Sequence, residues 1–301
     1  MKRTFVPQMG KSLSAIGLGC VTFGREIDPA ASFSIMDFAQ ENSVSFFDTA
    51  PAYGAGASEK IVGAWLTSRK AYESIMVATK IQPPYEPKNI LRSVSQSLKN
   101  LNTDTIDILY LHLWDPTIET TQALKTFNDL IIAGKIKMIG VSNFNPDQLR
   151  NVLRLQIDQG FECFRSVQNN NNLAVSDINE EFMQICVAND IEIVTYSPLG
   201  AGFLTGKYQN GVKEGTRFAL IKGHQDIYFN ETGFQRLQKL QIVSALTGYS
   251  SSHLALAWAM HRPGIASVLI GVRKKEQLSK ALAALNFYDT KIFDALASIS
   301  F

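Results

Sequence analysis

Short runs of apolar and β-branched residues recur along the chain, and longer segments with apolar residues at helical spacing separate them. Eight runs predict strands, at residues 14–19, 44–49, 74–80, 106–112, 136–142, 163–168, 191–197 and 266–271. The first run alternates, whereas the others are mostly continuous. Continuous apolar runs are typical of parallel strands whose two faces are both covered by helices.

The segments between these runs predict amphipathic helices. Asp28-Pro29 and Asn145-Pro146 each combine an N-cap residue with proline at the first helical position, so they predict helix starts. Gly134 predicts the end of a helix, and residues 278–285 predict the last one. Apolar faces at helical spacing are formed by Ile61, Val62, Trp65 and Leu66; by Ile90, Leu91, Val94 and Leu98; and by Leu124, Phe127, Leu130 and Ile131.

Eight strands that each precede a helix predict an α/β fold, the closed (β/α)₈ or TIM barrel, as a single domain over residues 1–301. An open doubly wound sheet is the rival architecture. It would usually carry a GxGxxG loop after its first strand, and "GLGCVTFG" at 17–24 does not match that pattern. The connection after the seventh strand is unusually long, and we expect residues 203–232 to form a lid or cofactor-covering loop.

Composition narrows the classes of function. The 301 residues are 46% hydrophobic and 19% charged, with a formal net charge of +2. Without a basic stripe or zinc-ligand spacing, we expect no nucleic-acid partner and no metal site. No apolar run approaches the roughly 20 residues that span a bilayer, so we expect no membrane association. The three widely spaced cysteines are typical of free thiols in a reducing compartment, which favours a cytoplasmic protein.

Candidate catalytic residues stand at the carboxyl ends of three consecutive predicted strands. Asp48 ends the second strand, Tyr53 follows on its loop, Lys80 ends the third strand and His112 ends the fourth. Function in such barrels sits at this end, and neighbouring strands lie only about 4.8 Å apart. We therefore expect these four side chains to form one cluster.

This cluster suits acid catalysis by a phenol. A charged Lys80 should lower the pKa of Tyr53, and Asp48 should hold the ammonium in place. Tyr53 could then give a proton to a substrate oxygen, while His112 hydrogen-bonds the same oxygen and orients the carbonyl. Lys80 could instead act as a Schiff-base nucleophile, and a carboxylate partner would speak against that by keeping the amine protonated.

Four segments together resemble the aldo-keto reductases, in the style of compact bacterial members. They are "FFDTAPAYGAGASEKIVGAWL" (46–66), "IDILYLHLWDP" (106–116), "GKIKMIGVSNF" (134–144) and "YSPLGAGFLTGKY" (196–208). The resemblance runs from about residue 14 to residue 285. It implies a (β/α)₈ barrel that transfers hydride between NAD(P)H and a carbonyl without metal.

The resemblance also assigns roles to individual positions. The proton-donor tyrosine falls on Tyr53, its aspartate and lysine on Asp48 and Lys80, and the substrate-orienting histidine on His112. The nicotinamide carboxamide contacts fall on Ser142, Asn143 and Gln168, and the ring would stack on Tyr196. The pyrophosphate cradle falls on residues 197–202, which include Ser197, Leu199, Gly200 and Gly202, and the end of the first strand brings Gly19 and Cys20 near the cofactor.

The far end of the cofactor falls on "GVRKKEQL" at 271–278, where family members hold the adenosine 2′-phosphate. Arg273, Lys274 and Gln277 occupy those positions, and consecutive cations suit a phosphate better than a hydroxyl. The resemblance therefore implies NADPH in preference to NADH. Lys280 and Ala281 depart from the usual Glu and Asn near the adenine.

The substrate is less defined. Phe23, Tyr85 and Trp114, all on predicted loops above the strands, are candidates for the pocket wall, and they would accept an apolar aldehyde or the face of a sugar. We expect a carbonyl reductase, as a monomer or small homo-oligomer. The alternative is a nucleotide-binding regulatory module with little or no turnover, like the channel-associated members of the family.

Overall fold

The computed structural model describes residues 3–6 and 10–297, and the remaining residues of the predicted 1–301 domain lie outside this description. Eight parallel strands form a closed barrel, in which strands that follow one another in the chain are neighbours and the last pairs with the first. The (β/α)₈ prediction is therefore confirmed. The barrel strands are β3 Ile16–Gly19, β4 Phe46–Asp48, β5 Met76–Ile81, β6 Ile106–Leu111, β7 Ile136–Ser142, β8 Ser166–Asn170, β9 Glu192–Tyr196 and β10 Ile265–Gly271.

Helices alternate with these strands and surround the barrel. They are α1 Pro29–Glu41, α2 Ala57–Arg69, α3 Pro87–Leu101, α4 Thr121–Ile132, α5 Pro146–Asp158, α6 Glu180–Ala188, α7 Arg217–Leu220, α8 Gly223–Tyr228, α9 Glu231–Thr247, α10 Ser251–His261, α11 Lys275–Leu285 and α12 Thr290–Ala297. Both predicted N-caps are confirmed. Asp28 accepts a hydrogen bond from the backbone of Ala31, and Asn145 forms a capping box with Gln148.

An N-terminal hairpin was not predicted. Strands β1 Arg3–Val6 and β2 Lys11–Ser14 pair antiparallel, so the run at 14–19 belongs to two strands. Val6 and Leu13 of the hairpin are buried against the apolar cluster inside the barrel. The hairpin therefore covers the amino-terminal end of the barrel, away from the strand ends that carry the candidate residues.

Alternation along the strands separates two cores. Residues of one parity pack in an interior cluster, and their neighbours pack outward against the helices. On β5, for example, Met76 and Ala78 face the interior cluster, whereas Val77 packs in the outer one. The members of the interior cluster are Val6, Leu13, Phe46, Met76, Ala78, Ile108, Tyr110, Met138, Val194 and Leu269.

The long connection after β9 has structure of its own. It begins with a 3₁₀ segment at Gly200–Thr205 and continues through α7 and α8. Stacked and tilted rings pack it internally, including Phe203 with Tyr228 at 5.7 Å and Tyr208 with Phe218 at 4.1 Å between centroids. Its predicted role as a lid stays a prediction, and the structure shows a segment with its own aromatic core.

Candidate active site

Strand parity brings polar residues together at the carboxyl end of the barrel. The residues of β4 to β9 that belong to the interior cluster are even-numbered, among them Phe46, Ala78, Tyr110, Met138 and Val194. The interior-facing series continues at the strand ends with polar side chains instead of apolar ones. By this parity the ring at the top of the barrel consists of Asp48, Lys80, His112, Ser142, Gln168 and Tyr196.

Asp48 and Lys80 form a buried ion pair at the centre of this ring. Lys80 Nζ lies 2.6 Å from both carboxylate oxygens of Asp48 and 3.0 Å from the carbonyl oxygen of Thr49. Gln168 donates from its amide nitrogen to Asp48 Oδ1 at 2.8 Å. Both charges are almost completely removed from water, so each depends on the other and on these hydrogen bonds.

Tyr53 is presented by a tight loop between β4 and α2. The hydroxyls of Thr49 and Ser58 are 2.7 Å apart and close the loop, and Ser58 also donates to the carbonyl of Cys20. Gly54, Ala55 and Gly56 follow Tyr53 in left-handed conformations, with φ of 58°, 52° and 87°. Ala55 is unfavourable in that region, so the surrounding contacts must stabilise this turn.

The electrostatic surroundings of Tyr53 differ from the prediction. Lys80 Nζ lies 4.9 Å from the centre of the Tyr53 ring, and its charge acts to lower the phenol pKa as expected. Burial is the larger effect and, with Asp48, raises the pKa of Tyr53 above its ordinary value. Without cofactor, Tyr53 therefore keeps its proton at neutral pH, which is the state a general acid requires.

Lys80 is protonated in this site. Burial acts to lower its pKa, but the charge of Asp48, together with Tyr53, outweighs burial and raises the pKa above its usual value. A Schiff-base nucleophile needs the neutral amine. The ion pair therefore disfavours the aldolase-like alternative.

His112 faces Tyr53 and is neutral. The two rings meet edge to face with centroids 6.1 Å apart. Burial, and secondarily the charge of Lys80, lowers the pKa of His112 to about 3. A neutral imidazole has one donor and one acceptor nitrogen, so it can donate a hydrogen bond without delivering a full charge.

The residues assigned to the nicotinamide form a hydrogen-bonded arc on the other side of the ring. Asn143 has a left-handed backbone with φ of 61°, donates through its amide to the His112 carbonyl oxygen at 2.9 Å, and accepts from the Tyr196 hydroxyl at 2.5 Å. Ser142 donates to the backbone of Gln168 at 2.7 Å. The amide nitrogen of Gln168 is bonded to Asp48, an interaction that the sequence did not indicate.

The segment at 197–202, predicted to hold the pyrophosphate, contains several residues in the left-handed region. Ser197, Gly200, Ala201 and Gly202 all have positive φ, between 54° and 96°. Ser197 and Ala201 adopt this region although it disfavours side chains, and turns of this kind can direct successive backbone amides towards one anion. The Lys207 ammonium lies 2.5 Å from the position that a Cβ on Gly202 would take. It adds to this segment a cation that was not predicted. The backbone of Leu199 closes the turn by accepting from the amides of Gly202 and Leu204.

Arg273 belongs to a cluster of three arginines around one carboxylate. Glu26 lies on the loop between β3 and α1, and its side chain is 7% exposed. Arg25 and Arg217 bond its Oε1 at 2.5 and 3.0 Å, and Arg273 Nε lies 3.6 Å from its Oε2. The cluster therefore carries excess positive charge beside the predicted phosphate position. It also joins α7 of the long connection to the first loop.

Sequence reasoning missed Glu26 and Arg217, because Glu26 lies on a loop and Arg217 begins a helix of only four residues, so neither carries a periodic signal. Lys274 and Gln277 are both exposed. The Gln277 side-chain oxygen accepts from the backbone of Arg273 at 2.7 Å and of Lys274 at 3.2 Å. In this structure Gln277 thus caps the start of α11.

Gly19 and Cys20 lie at the end of β3. Gly19 pairs with Gly271 of β10, and both Gly19 and Cys20 are buried. Burial raises the pKa of the Cys20 thiol well above its usual value. The group is therefore protonated and of low nucleophilicity.

The three residues predicted for the wall of the substrate pocket differ in their exposure to solvent. Phe23 and Tyr85 are fully buried, and the Tyr85 hydroxyl donates to the carbonyl of Leu113 at 2.5 Å. Tyr85 thus supports the loop after His112 and presents no open surface. Trp114 is partly exposed, and its indole nitrogen has no hydrogen-bond partner among the residues that the structure describes.

The asparagine run at 169–172 stabilises the end of β8. Asn172 accepts from the backbone of Ala174 and Val175, and donates to the carbonyl of Ser197 and to the Tyr228 hydroxyl. Asn170 donates to the same hydroxyl at 3.3 Å. These bonds attach α8, and with it the long connection, to the barrel.

Two further findings concern the described part of the chain only. Within residues 3–6 and 10–297, no helix is long and apolar enough to cross a membrane. The same residues contain no group of three or more His, Cys, Asp or Glu side chains arranged to hold a metal ion.

Comparison with known proteins decides the family, since residues 15–300 match the aldo/keto reductase family. The chain belongs to that family. Aldo-keto reductase YhdN of Bacillus subtilis is 29% identical over 92% of this chain and 87% of its own length. Norsolorinic acid reductase B of Aspergillus parasiticus is 27% identical over 92% of this chain and 78% of its own.

The chain is also similar in sequence to a second bacterial protein and in fold to a solved structure. Protein tas of Escherichia coli is 26% identical over 98% of this chain and 95% of its own length. The glycerol dehydrogenase AKR11B4 of Gluconobacter oxydans has a TM-score of 0.81 at 22% identity, covering 99% of this chain and 94% of that one. This structural likeness supports the fold, and the named relatives support an oxidoreductase.

Proposed function

We propose that this aldo-keto reductase reduces an aldehyde or ketone to an alcohol with NADPH. The observation that carries the proposal is the placement of a protonated phenol, Tyr53, between the buried Asp48–Lys80 pair and a neutral His112. When bound, the reduced nicotinamide supplies a hydride to the carbonyl carbon. The protein must then supply a proton to the carbonyl oxygen as negative charge develops there.

Each of the four side chains has a distinct part in that proton transfer. Tyr53 donates the proton, and the charge of Lys80 stabilises the phenolate that remains. Asp48 keeps Lys80 charged and positioned at 2.6 Å. His112 donates a hydrogen bond that orients the substrate oxygen. Trp114, partly exposed just beyond His112, is the proposed wall of the substrate pocket.

The residues of this site fit the cofactor. The segment at 197–202 with Lys207 offers left-handed turns, whose amides can bind an anion, and a cation for a pyrophosphate. Arg273, with Arg217 and Arg25, offers three guanidinium groups against one carboxylate, which suits the additional phosphate of NADPH. Ser142, Asn143, Gln168 and Tyr196 surround the proposed nicotinamide position.

A binding titration followed by an assay of turnover tests the proposal. Intrinsic fluorescence should be quenched by NADPH at lower concentrations than by NADH, and absorbance at the NADPH band should then decay with a panel of aldehydes and keto-sugars. Tight binding without turnover on any carbonyl would favour a nucleotide-sensing module. Absence of nucleotide binding would contradict the cofactor assignment altogether.

Charge removal at the phosphate end should change cofactor preference. In the Arg273→Ala/Lys274→Ala variant we expect the Kd for NADPH to rise at least about 10-fold, because each charge-assisted bond to a phosphate contributes about 1.5–3 kcal/mol. The Kd for NADH should change little. Lys125→Ala/Lys137→Ala, which removes two cations elsewhere, is the matched control. An equal rise in the Kd for NADPH and for NADH in the test variant would show that these residues do not bind the 2′-phosphate.

The reduction rate should be insensitive to pH across the neutral range. His112 is neutral above its pKa of about 3, and Tyr53 keeps its proton up to a pKa above the ordinary 10. We therefore expect kcat/KM to be flat from about pH 5 to about pH 9 in buffers of constant ionic strength. A pKa near 6.5 in the pH profile of kcat/KM would instead show that His112 titrates like a solvated imidazole.

A further inference from the structure

Gln82 and His112 face each other just beyond two neighbouring strands. Ile81 and Leu111 are partners in the register of β5 and β6, and the backbone of His112 donates to the Ile81 carbonyl at 2.9 Å. Gln82 therefore follows β5 directly, and His112 follows β6. The Gln82 amide nitrogen lies 2.8 Å from His112 Nδ1.

The backbones of both residues are held in place by their surroundings, while the Gln82 side chain itself is exposed. Gln82 precedes Pro83, which restricts its backbone to extended conformations. Asn89 of α3 donates to the carbonyls of Gln82 and Pro84 at 3.4 and 2.6 Å. On the opposite side, the Asn143 amide donates to the His112 carbonyl at 2.9 Å. The contact between the two side chains is thus supported from α3 and from the end of β7.

The chemistry of this contact selects one form of the imidazole. The structure presents the Gln82 amide nitrogen to the ring, and in that orientation the amide donates and Nδ1 is the unprotonated acceptor. The single proton of the neutral ring then resides on Nε2. The charged or titratable groups that face His112 are Lys80, on β5, and Tyr53, on the loop after β4. The positive charge of Lys80 disfavours a second proton on the His112 ring.

We propose that Gln82 is a positioning residue that fixes the His112 tautomer with the proton on Nε2, the nitrogen left free to donate to a substrate oxygen. This inference rests on the role proposed above for His112. Without Gln82, the two tautomers would be closer in free energy, and the one with a bare Nε2 cannot donate. Gln82 touches neither substrate nor cofactor in this role, because it acts through the far side of the ring.

The tautomer can be read directly by long-range ¹H–¹⁵N spectra of uniformly labelled protein. The His112 ring is assigned by the signal that disappears in His112→Asn, which separates it from the rings of His224, His253 and His261. In the native protein at pH 7 we expect an unprotonated Nδ1 and a protonated Nε2. In Gln82→Met, which removes the donor at similar length, we expect mixed tautomers and a fall in kcat between about 2- and 10-fold.

A second variant reverses the hydrogen bond. Gln82→Glu places a carboxylate at Nδ1, which can only accept from the ring, so Nδ1 should become protonated. We expect a larger fall in kcat than in Gln82→Met, and an ionisation of His112 that enters the pH profile of kcat/KM. Gln96→Glu is the matched control, since the Gln96 amide donates to Asn100 at 2.8 Å on the exposed face of α3, and it should change neither readout.

The two readouts separate failure of this inference from failure of the proposed function. A protonated Nδ1 in the native protein, or an unchanged tautomer in both Gln82 variants, would overturn the role of Gln82 even if the enzyme is a reductase. The expected change of tautomer with unaltered kcat would support the contact but overturn its importance for the reaction. A protein that shows the expected tautomers but reduces no carbonyl would contradict only the proposed function.

Discussion

Replacing Tyr53 by Phe should lower kcat for carbonyl reduction by about 10²- to 10⁴-fold, the usual contribution of a positioned general acid. The hydroxyl is the group whose proton the proposed reaction consumes, and burial keeps it protonated at neutral pH. The phenyl ring retains the edge contact with His112, so the loop should keep its shape. The Kd for NADPH, measured by fluorescence titration, should therefore stay within a factor of about two to three.

Tyr72→Phe provides the control for this change. Tyr72 lies on the connection between α2 and β5, at the other end of the barrel, and its hydroxyl donates to the carbonyls of Leu101 and Asn102 at 3.0 and 2.8 Å. Its loss should affect stability slightly and kcat not at all. Reduction by Tyr53→Phe at the native rate would remove Tyr53 from the role of acid. Loss of cofactor binding in that variant would instead indicate a structural role.

Breaking the buried ion pair should have the largest effect on stability. In Asp48→Asn, the Lys80 ammonium would remain about 1% exposed without a counter-charge. Removal of one partner of a buried pair costs about 3–5 kcal/mol, because the other charge stays desolvated. We expect the free energy of unfolding, measured by urea denaturation followed by circular dichroism, to fall by about that amount.

A double variant and a surface control test the reason for this loss. Asp48→Asn/Lys80→Met removes both charges, so it should be more stable than Asp48→Asn alone even though it is catalytically inactive. Asp129→Asn breaks the exposed Lys125–Asp129 pair at 2.7 Å, and we expect its unfolding curve to superpose on that of the native protein. If the free energy of unfolding of Asp48→Asn equals that of the native protein, the Lys80 ammonium has lost its proton or become exposed to solvent in the variant.

The eight barrel strands, most of the helices and the end of the barrel that carries the polar residues could all be predicted from the amino-acid sequence. Alternation in a parallel strand has a period of two, so the position of Lys80 relative to Met76 and Ala78 already predicts that it faces inward. Helix starts at Asp28 and Asn145 were equally predictable, because a cap is a local interaction between residues three apart. Likeness to known family motifs added the proposed roles.

The contacts between distant groups, and the effect that dominates the pKa of each, depend on the folded chain. The pKa of Tyr53 depends on burial by distant segments as well as on Lys80, and burial is larger. Glu26, Arg217 and Arg273 are far apart in the chain, and no local pattern marks their cluster. The contact of Gln82 with His112 follows from the register of β5 and β6, together with rotamers that the sequence leaves open. The N-terminal hairpin escaped prediction because its short strands are stabilised by burial of Val6 and Leu13 under the barrel.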